Sequence, residues 1–396
     1  MEARDAPGGP LAGLRVVEFA GLGAAPYGVM LLADLGAEVL RIDRPGAAQH
    51  PSHAAHVGLW RGRRSAIVDL HHPEAARVIH RLLENADVLV EGFRPGAMER
   101  RGLGPETVCD RHPTLIYARM TGWGQEGPLS TTAGHDVNYA ALSGALSTVG
   151  SGDRPPPPVV NYLADFGGGG MLLAVGILSA LFERQISGRG QVVDVAMVDG
   201  ASSLTTFVHG LAALGAWSGD RGENLLDGGA PFYATYRCAD GRFVAVGAIE
   251  PEFFGELLTG LGLPESLAAS QHDRPRWGEI RALLAERFAT RPRDDWARRF
   301  AGSDACVTPV LELHEVSEHP HHQARSSFAV PLRGPLITDE NSRPMPSPAP
   351  RFSRTPGQGG AAAPIPGLHT RRLLTEAGFE TAEQDELLAL GVVAEA

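Results

Sequence analysis

The first half of the chain alternates short apolar runs with longer stretches of helical spacing. The run at 14–19 indicates a buried strand, 26–35 a helix with proline in its first turn, and 37–43 the next strand. Such a unit predicts a right-handed crossover between parallel strands. Further elements of the same two kinds are predicted at 65–70, 73–84, 86–91, 115–120 and 191–197. The alternation predicts a doubly wound α/β domain whose ligand lies beyond the carboxyl ends of the strands.

The pattern changes after a turn-rich boundary at 227–231. Strands at 233–238 and 243–247 flank an Asp-Gly turn and predict a hairpin that begins a smaller α+β domain. After it we expect helices at 251–261, 276–289 and 294–300, an extended proline-rich segment at 344–366, and helices at 370–377 and 381–390. The predicted domains are a large domain at 1–200, a linker at 201–229, the small α+β domain at 230–335, and a return linker with C-terminal helices packed on the large domain at 336–396.

The amino-acid composition argues against several classes of function. The 396 residues carry a formal net charge of -11 and include no lysine, so Schiff-base and Walker A chemistry are excluded and a nucleic-acid partner is not expected. Cys109, Cys238 and Cys306 are far apart in the sequence, as in proteins of reducing compartments. Residues 1–5 do not resemble a signal peptide, and the apolar run at 171–182 is shorter than the roughly 20 residues that span a bilayer. We expect a cytoplasmic protein without membrane insertion.

Metal and nicotinamide sites are also disfavoured. Histidines cluster at 50–56, 71–72 and 319–322, but without the helical spacing or the carboxylates of metal ligands. The loop at 21–28 is rich in glycine, yet Pro26 stands where a dinucleotide fingerprint needs glycine. A serine-hydrolase elbow of the form Gly-x-Ser-x-Gly is missing from the sequence.

A histidine and a carboxylate on successive loops form the candidate catalytic pair. His135 lies between Gly134 and Asp136, and Asp165 precedes a glycine run that opens a predicted helix at 167–185. Such groups can transfer protons on either side of one carbon centre. Both have a structural alternative, because a lone histidine is usually an ordinary polar side chain and aspartate is a favoured helix N-cap.

Glu250 and a set of arginines are further candidates. Glu250 ends a predicted strand just before a helix, where an acidic residue also has a purely structural role. Arg44, Arg94 and Arg100 follow predicted strand ends. Solvent exposure explains any single arginine, but their recurrence in an acidic chain predicts an anion pocket suited to phosphate groups.

A series of short segments in order along the chain carries a family resemblance. They lie at 14–18, 32–37, 41–45, 91–96, 119–125, 134–136, 165–169 and 227–231. With them the chain resembles the family III CoA-transferases and, within that superfamily, the α-methylacyl-CoA racemases. The resemblance implies a Rossmann-like large domain, a smaller α+β domain and an interlocked homodimer, with the active site between the large domain of one subunit and the small domain of its partner.

The resemblance also implies roles for individual residues. Asp165 matches the acyl carrier of the transferases and the acid/base of the racemases, His135 is the racemase-type residue, and Glu250 matches a supporting acid from the small domain. The residues implied to bind CoA are Leu22, Arg44, Val68, Leu89, Arg94, Arg100, Gly134, Asp136 and Tyr139. Of these, the arginines would contact phosphates, and the last three would lie beside the thioester.

The reaction implied is the interconversion of (2R)- and (2S)-2-methylacyl-CoA thioesters. His135 and Asp165 would act as two bases in a 1,1-proton transfer through an enolate, which backbone N–H groups near Asp165 would stabilise. No separate cofactor is expected, because CoA is part of the substrate. The alternative is a CoA-transferase that moves CoA between carboxylic acids through an Asp165 acyl intermediate.

Overall fold

The computed structural model describes residues 8–47, 57–217, 220–331, 343–359 and 362–396; the predictions made for residues 1–5 and for the histidines at 50–56 lie outside them. The chain divides into two compact units. The first takes its residues from 1–143, 159–204 and 317–396, and the second from 144–158 and 205–316. These limits differ from the predicted domain limits in two places. Residues 144–158, which were predicted in the large domain, belong to the second unit, and so do residues 205–229 of the predicted linker.

A parallel sheet forms the centre of the first unit. Its strands are β1 (Arg15–Phe19), β2 (Glu38–Asp43), β3 (Arg63–Val68), β4 (Val88–Glu91), β5 (Ile116–Thr121), β6 (Val192–Ala196) and β12 (Val393–Ala394). Their order is β12-β3-β2-β1-β4-β5-β6, and only the short strand β12 runs antiparallel to its neighbour. The order reverses at β1, so a ligand crevice is expected beyond the carboxyl ends of β1 and β4. The predicted doubly wound fold is confirmed.

Side chains of the central strands alternate between two hydrophobic cores. Val17 and Leu89 pack in one core, and Val16 and Val90 in the other, as the two-residue period of a strand requires. The helices of the first core are α2 (Ala75–Leu83), α3 (Pro105–Arg111), α12 (Thr370–Glu376) and α13 (Thr381–Ala389), and those of the second are α1 (Ala24–Asp34) and α5 (Leu172–Ser187). The unit also contains α4 (Asp136–Leu142), α6 (Met197–Leu204), α11 (Pro320–Arg325) and the strand pair β10 (Val330–Pro331) and β11 (Pro344–Met345).

The helix predicted at 167–185 begins earlier and in another form. Tyr162–Met171 is wound as a π-helix and continues directly into α5. Asp165 lies inside this π-helical segment and the N-cap is Asn161, so the interpretation of Asp165 as an N-cap is wrong. The combined helix Tyr162–Ser187 has 26 residues and contains an 18-residue window with a mean hydropathy of 1.6, which suffices to cross a membrane by length and composition; core helices pass the same test.

The glycine run of the π-helical segment lets two neighbouring helices approach its backbone. A Cβ added at Gly168 would lie 2.5 Å from the amide nitrogen of Ala201 in α6. One added at Gly170 would lie 2.7 Å from the carbonyl oxygen of Ala24 in α1. Side chains larger than hydrogen would push these elements apart. This close packing fixes the π-helical segment between α1 and α6.

The second unit is a small α+β domain. Its antiparallel sheet has the order β7 (Tyr233–Arg237), β8 (Phe243–Gly247) and β9 (Val307–Pro309), which confirms the predicted hairpin. Its helices are α7 (Thr206–Ala213), α8 (Pro251–Leu261), α9 (Trp277–Phe288) and α10 (Arg293–Phe300). Phe254, Trp277 and Phe288 are buried in its own core, separate from the two cores of the large sheet.

Candidate active site

His135 is held by the start of helix α4. It is the N-cap residue, with extended backbone (φ -133°, ψ 173°), and its N–H donates to Oδ1 of Asn138 at 3.0 Å. The hydroxyl of Tyr139, one turn into the helix, donates to the carbonyl oxygen of Gly134 at 2.5 Å. The ring of Trp123 meets the ring of Tyr139 edge-on, with centroids 4.7 Å apart. These contacts fix the backbone at His135 and leave its side chain exposed to solvent.

Gly134 is required by this packing. A Cβ at Gly134 would lie 2.7 Å from Cε1 of Tyr139 and 3.0 Å from Cζ2 of Trp123. Gly134 and Tyr139, which the family resemblance places beside the thioester, therefore shape the loop that presents His135. Tyr139 is almost fully buried, and its hydroxyl is used within the protein.

Asp136 joins the two candidate loops. Its side chain is only 5% exposed, and Oδ2 accepts the backbone N–H groups of Ala164 at 2.7 Å and Asp165 at 2.8 Å. The carboxylate of Asp136 therefore faces the Asp165 segment. The position of Asp136 beside a thioester stays a prediction.

Asp165 is half-buried beside the start of helix α1. A Cβ added at Gly23, the N-cap of α1, would lie 3.2 Å from Oδ2 of Asp165, and φ of Gly23 is +67°. Glycine tolerates this left-handed conformation and leaves room for the carboxylate. Any other residue would crowd the carboxylate and strain the turn.

The surroundings of Asp165 favour its protonated form. Burial is the largest cause that raises its pKa, and the nearby carboxylate of Asp136 raises the pKa further. A hydrogen bond from the side chain of Asn161 and the charge of His135 lower the pKa of Asp165 and only partly offset these effects. The charge of His135 thus acts on Asp165, and Asp136, the neighbour of His135, accepts the backbone N–H of Asp165.

The predicted oxyanion donors near Asp165 are in part already used. The N–H of Asp165 donates to Asp136, so it is not free to stabilise an enolate. The start of α1 carries no side-chain cap, and its N-cap Gly23 lies against the Asp165 carboxylate. The first N–H groups of a helix lack partners within the helix and carry partial positive charge. Donors of this kind therefore lie at the end of α1 that adjoins the Asp165 carboxylate.

The predicted phosphate-binding arginines lie at the carboxyl edge of the large sheet and are all exposed. Arg44 follows β2, Arg94 follows β4, and Arg100 lies in the single-turn helix Glu99–Arg101. Arg100 lines a cavity of about 440 Å³, whose other lining residues are Leu70, His71, His72, Pro73, Ala75, Ala76 and Arg101. Among the described residues, groups of three or more potential metal ligands are absent.

The apolar residues predicted around CoA differ in their surroundings. Leu22 is exposed in the loop before α1. Val68 and Leu89 are 1% and 0% exposed and belong to a hydrophobic core. Because these side chains are buried, a contact with CoA would have to come from their main chain, and the assignment of both positions to the CoA site stays a prediction.

Glu250 belongs to the second unit, where it is the exposed N-cap residue of α8. Gln271, which is almost fully buried, holds the preceding turn: its Nε2 donates to the carbonyl oxygens of Ala248 at 3.2 Å and Ile249 at 2.8 Å. The charge of Glu250 contributes, after burial, to the raised pKa of the Cys306 thiol. Gln271 was missed from sequence, where a lone glutamine between two helices gives no signal.

The doubly wound sheet, with the candidate residues His135 and Asp165 on neighbouring loops, is typical of an α/β enzyme. The chain belongs to CoA-transferase family III, whose model matches residues 11–370. It is 48% identical over 382 residues to the alpha-methylacyl-CoA racemase of Mus musculus (96% of each chain) and 46% identical over 375 residues to that of Homo sapiens (94% of each). The crystal structure of a CAIB/BAIF family protein from Brucella suis matches with a TM-score of 0.79 at 27% identity, over 93% of this chain and 100% of that chain. The family resemblance is confirmed.

Proposed function

We propose that this chain is an α-methylacyl-CoA racemase, which interconverts the (2R) and (2S) forms of 2-methylacyl-CoA thioesters. The observation that carries the proposal is the pairing of His135 with Asp165, held together through Asp136, in a chain 46–48% identical to two racemases. A carboxylate alone would serve acyl transfer. A histidine next to it supplies the second proton-transfer group that inversion of a carbon centre requires.

The proposed chemistry is a two-base proton transfer. His135 takes the α-proton of one enantiomer, the electrons of the C–H bond move into the thioester carbonyl, and protonated Asp165 delivers a proton to the opposite face of the enolate. The reverse reaction exchanges these roles. The raised pKa of Asp165 increases its protonated fraction and so supports its role as the acid.

Exchange of the α-proton in heavy water tests this proposal directly. Wild-type protein incubated with one enantiomer of a 2-methylacyl-CoA, without an acceptor acid, is expected to incorporate deuterium at the α-carbon and to form the other enantiomer. His135→Ala is expected to lose racemisation. Absence of deuterium in the wild-type product, or unchanged racemisation by His135→Ala, would overturn the proposal.

The second candidate is CoA transfer, which the family's own description favours. In that reaction the Asp165 carboxylate attacks the thioester carbonyl, the C–S bond breaks, and CoA leaves as the thiolate while a mixed anhydride forms. The thiolate then attacks the Asp165 carbonyl of the anhydride, the bond to the donor acyl group breaks, and the donor acid leaves as its carboxylate, so that CoA is held as an Asp165 thioester. Hydroxylamine added after incubation with an acyl-CoA would convert Asp165 to a hydroxamate detectable by mass spectrometry, and finding it would favour transfer over racemisation.

A homodimer is also proposed, supported by an uncovered apolar stripe on α5 and the π-helical segment. Met171, Val175, Leu178, Phe182 and Ile186 recur at helical spacing, and Phe182 and Ile186 are 67% and 78% exposed. Contiguous apolar surface of this kind is typical of an interface. The proposed covering partner is a second copy of the chain, as the family resemblance implies.

Sedimentation equilibrium tests this dimer. Wild type is expected to be a dimer, and Phe182→Asp is expected to form a weaker dimer; a wild-type monomer would contradict the proposal.

Several earlier expectations stay predictions. They are the supply of Glu250 by a partner subunit, phosphate binding by Arg44, Arg94 and Arg100, the absence of a separate cofactor, the absence of nucleic-acid and membrane partners, and a cytoplasmic location.

A further inference from the structure

The main chains at His135 and Asp165, the two proposed proton-transfer residues, are linked through the side chain of Asp136. His135 and Asp136 are adjacent in the chain, and Asp136 Oδ2 accepts the N–H groups of both Ala164 and Asp165. The path from one base to the other thus passes through one peptide bond and one pair of hydrogen bonds. Because Asp136 is the first residue of α4 and is buried, its carboxylate has little freedom to move.

We infer that Asp136 is a positioning residue, which ties the main chain at Asp165 to the loop of His135 and so sets the spacing of the two bases. The inference rests on the proposed racemase function, since only a two-base reaction needs both groups at a fixed distance from one carbon atom. Misplacement of a reacting group by about 1 Å can lower a rate by about 100-fold. A residue that fixes this spacing therefore affects turnover without touching the substrate through its side chain.

The carboxylate of Asp136 has a second effect through its charge. It lies close enough to Asp165 to raise the pKa of Asp165, in addition to the larger effect of burial. The groups that shift the pKa of Asp165 by charge or hydrogen bonding are Asp136, Asn161 and His135, and Tyr139 also lies within reach of the Asp165 charge. A pair of bases that shares one proton loses activity when a second proton binds at low pH. The charge of Asp136 therefore moves the acid limb of the pH profile to higher pH, in addition to the larger effect of burial.

Two substitutions separate these effects, because both N–H groups donate to the same oxygen. Asp136→Asn can keep one oxygen in that place and so keep both hydrogen bonds while removing the charge. Asp136→Ala removes the hydrogen bonds and the charge together. Asp87 is the matched control: its Oδ2 accepts the N–H of Arg15 at 2.9 Å, and it precedes β4 at the opposite, amino edge of the sheet.

The first measurement is amide hydrogen exchange at Ala164 and Asp165, which needs no catalytic activity. Asp136→Ala is expected to speed this exchange at least about tenfold, as the loss of a charge-assisted hydrogen bond does. Asp136→Asn and Asp87→Ala are expected to leave it unchanged. Unchanged exchange in Asp136→Ala would overturn the positioning role, even if the wild type proved to have no racemase activity.

The second measurement is kcat/KM for racemisation as a function of pH. We expect a fall of about 10- to 100-fold for Asp136→Ala, a fall of less than about fivefold for Asp136→Asn, and no change for Asp87→Asn. The acid limb of Asp136→Asn should move to lower pH. An Asp136→Asn enzyme as impaired as Asp136→Ala, or with an unshifted acid limb, would contradict the inference, whereas an inactive wild type would contradict the proposed function instead.

Discussion

Two acidic side chains of the same unit, Glu18 and Asp165, have opposite electrostatic surroundings. Glu18 in β1 is 1% exposed and receives a bidentate contact from Arg63, with Nε–Oε2 at 2.5 Å and Nη2–Oε1 at 3.2 Å. Arg63 also donates to the carbonyl oxygens of Leu59 and Pro26. Asp165 has no arginine among the groups that shift its pKa, and a second carboxylate lies near it.

The difference separates a structural carboxylate from one suited to chemistry. A buried acid that is paired with a guanidinium links the strands that carry the two side chains. A half-buried acid next to another acid has a raised pKa, which suits a group that must accept and release a proton. A carboxylate thus links strands of the sheet at one position and is suited to proton transfer at the other.

The largest expected effect comes from replacing Asp165, the carboxylate that is proposed to transfer a proton. Asp165→Asn keeps the size of the side chain but cannot exchange a proton, so kcat/KM for racemisation should fall by about 10²- to 10⁴-fold. Racemisation of each enantiomer, followed by chiral chromatography of the released acid, checks this. Retention of more than about a tenth of the wild-type rate would show that Asp165 is not one of the two proton-transfer groups.

Disruption of the ion pair between Glu18 and Arg63 should lower the stability of the protein instead. Arg63→Met leaves Glu18 buried without its partner, and breaking a buried ion pair in this way costs about 3–5 kcal/mol. Urea unfolding of wild type and variant measures the change in the free energy of unfolding. The double variant Glu18→Gln/Arg63→Met should be clearly more stable than Arg63→Met, because it no longer buries an unpaired charge. Equal losses in both variants would show that packing and not charge explains the effect.

A smaller effect is expected from a pair of matched tyrosines. Tyr139 donates to the carbonyl oxygen of Gly134, and Tyr236 in the second unit donates to that of Pro231, both at 2.5 Å and both to a residue five positions earlier. Each Tyr→Phe change should cost about 1 kcal/mol of stability. Only Tyr139→Phe should also lower kcat/KM, by a few-fold, since it loosens the His135 loop. A similar loss of activity in Tyr236→Phe would argue against this local cause.

The sheet and the identities of the candidate bases could be predicted from the sequence, whereas long-range contacts could not. Apolar runs placed β1, β2 and β4 within two residues of their observed limits. The strand β12 escaped prediction, because two residues carry no periodic signal and form a strand only by pairing with β3. The π-helical start of the Asp165 helix depends on backbone contact between Gly168 and α6, which no local pattern reveals.

The same limit applies to the site. His135 and Asp165 stood out by their neighbours in the sequence, but the link between them is a pair of hydrogen bonds across about thirty residues. Val68 and Leu89 were assigned to CoA by family resemblance, although strand alternation places them in the core with Val17. Residue type and local order identify candidates, and the three-dimensional contacts decide whether their side chains can reach a ligand.

The smallest expected effect is a difference in stability that depends on pH. Because its pKa is raised in the folded protein, Asp165 binds its proton more tightly there than in the unfolded chain. Its contribution to the free energy of unfolding is therefore lost as pH rises from the ordinary aspartate pKa of about 3.9 through the higher folded value. Asp165→Asn has no charge to bury, so its melting temperature relative to wild type should be higher at pH 7 than at pH 3. Thermal unfolding at the two pH values checks this, and a relative stability of the variant that is lower at pH 7 would mean that the surroundings of Asp165 stabilise its carboxylate.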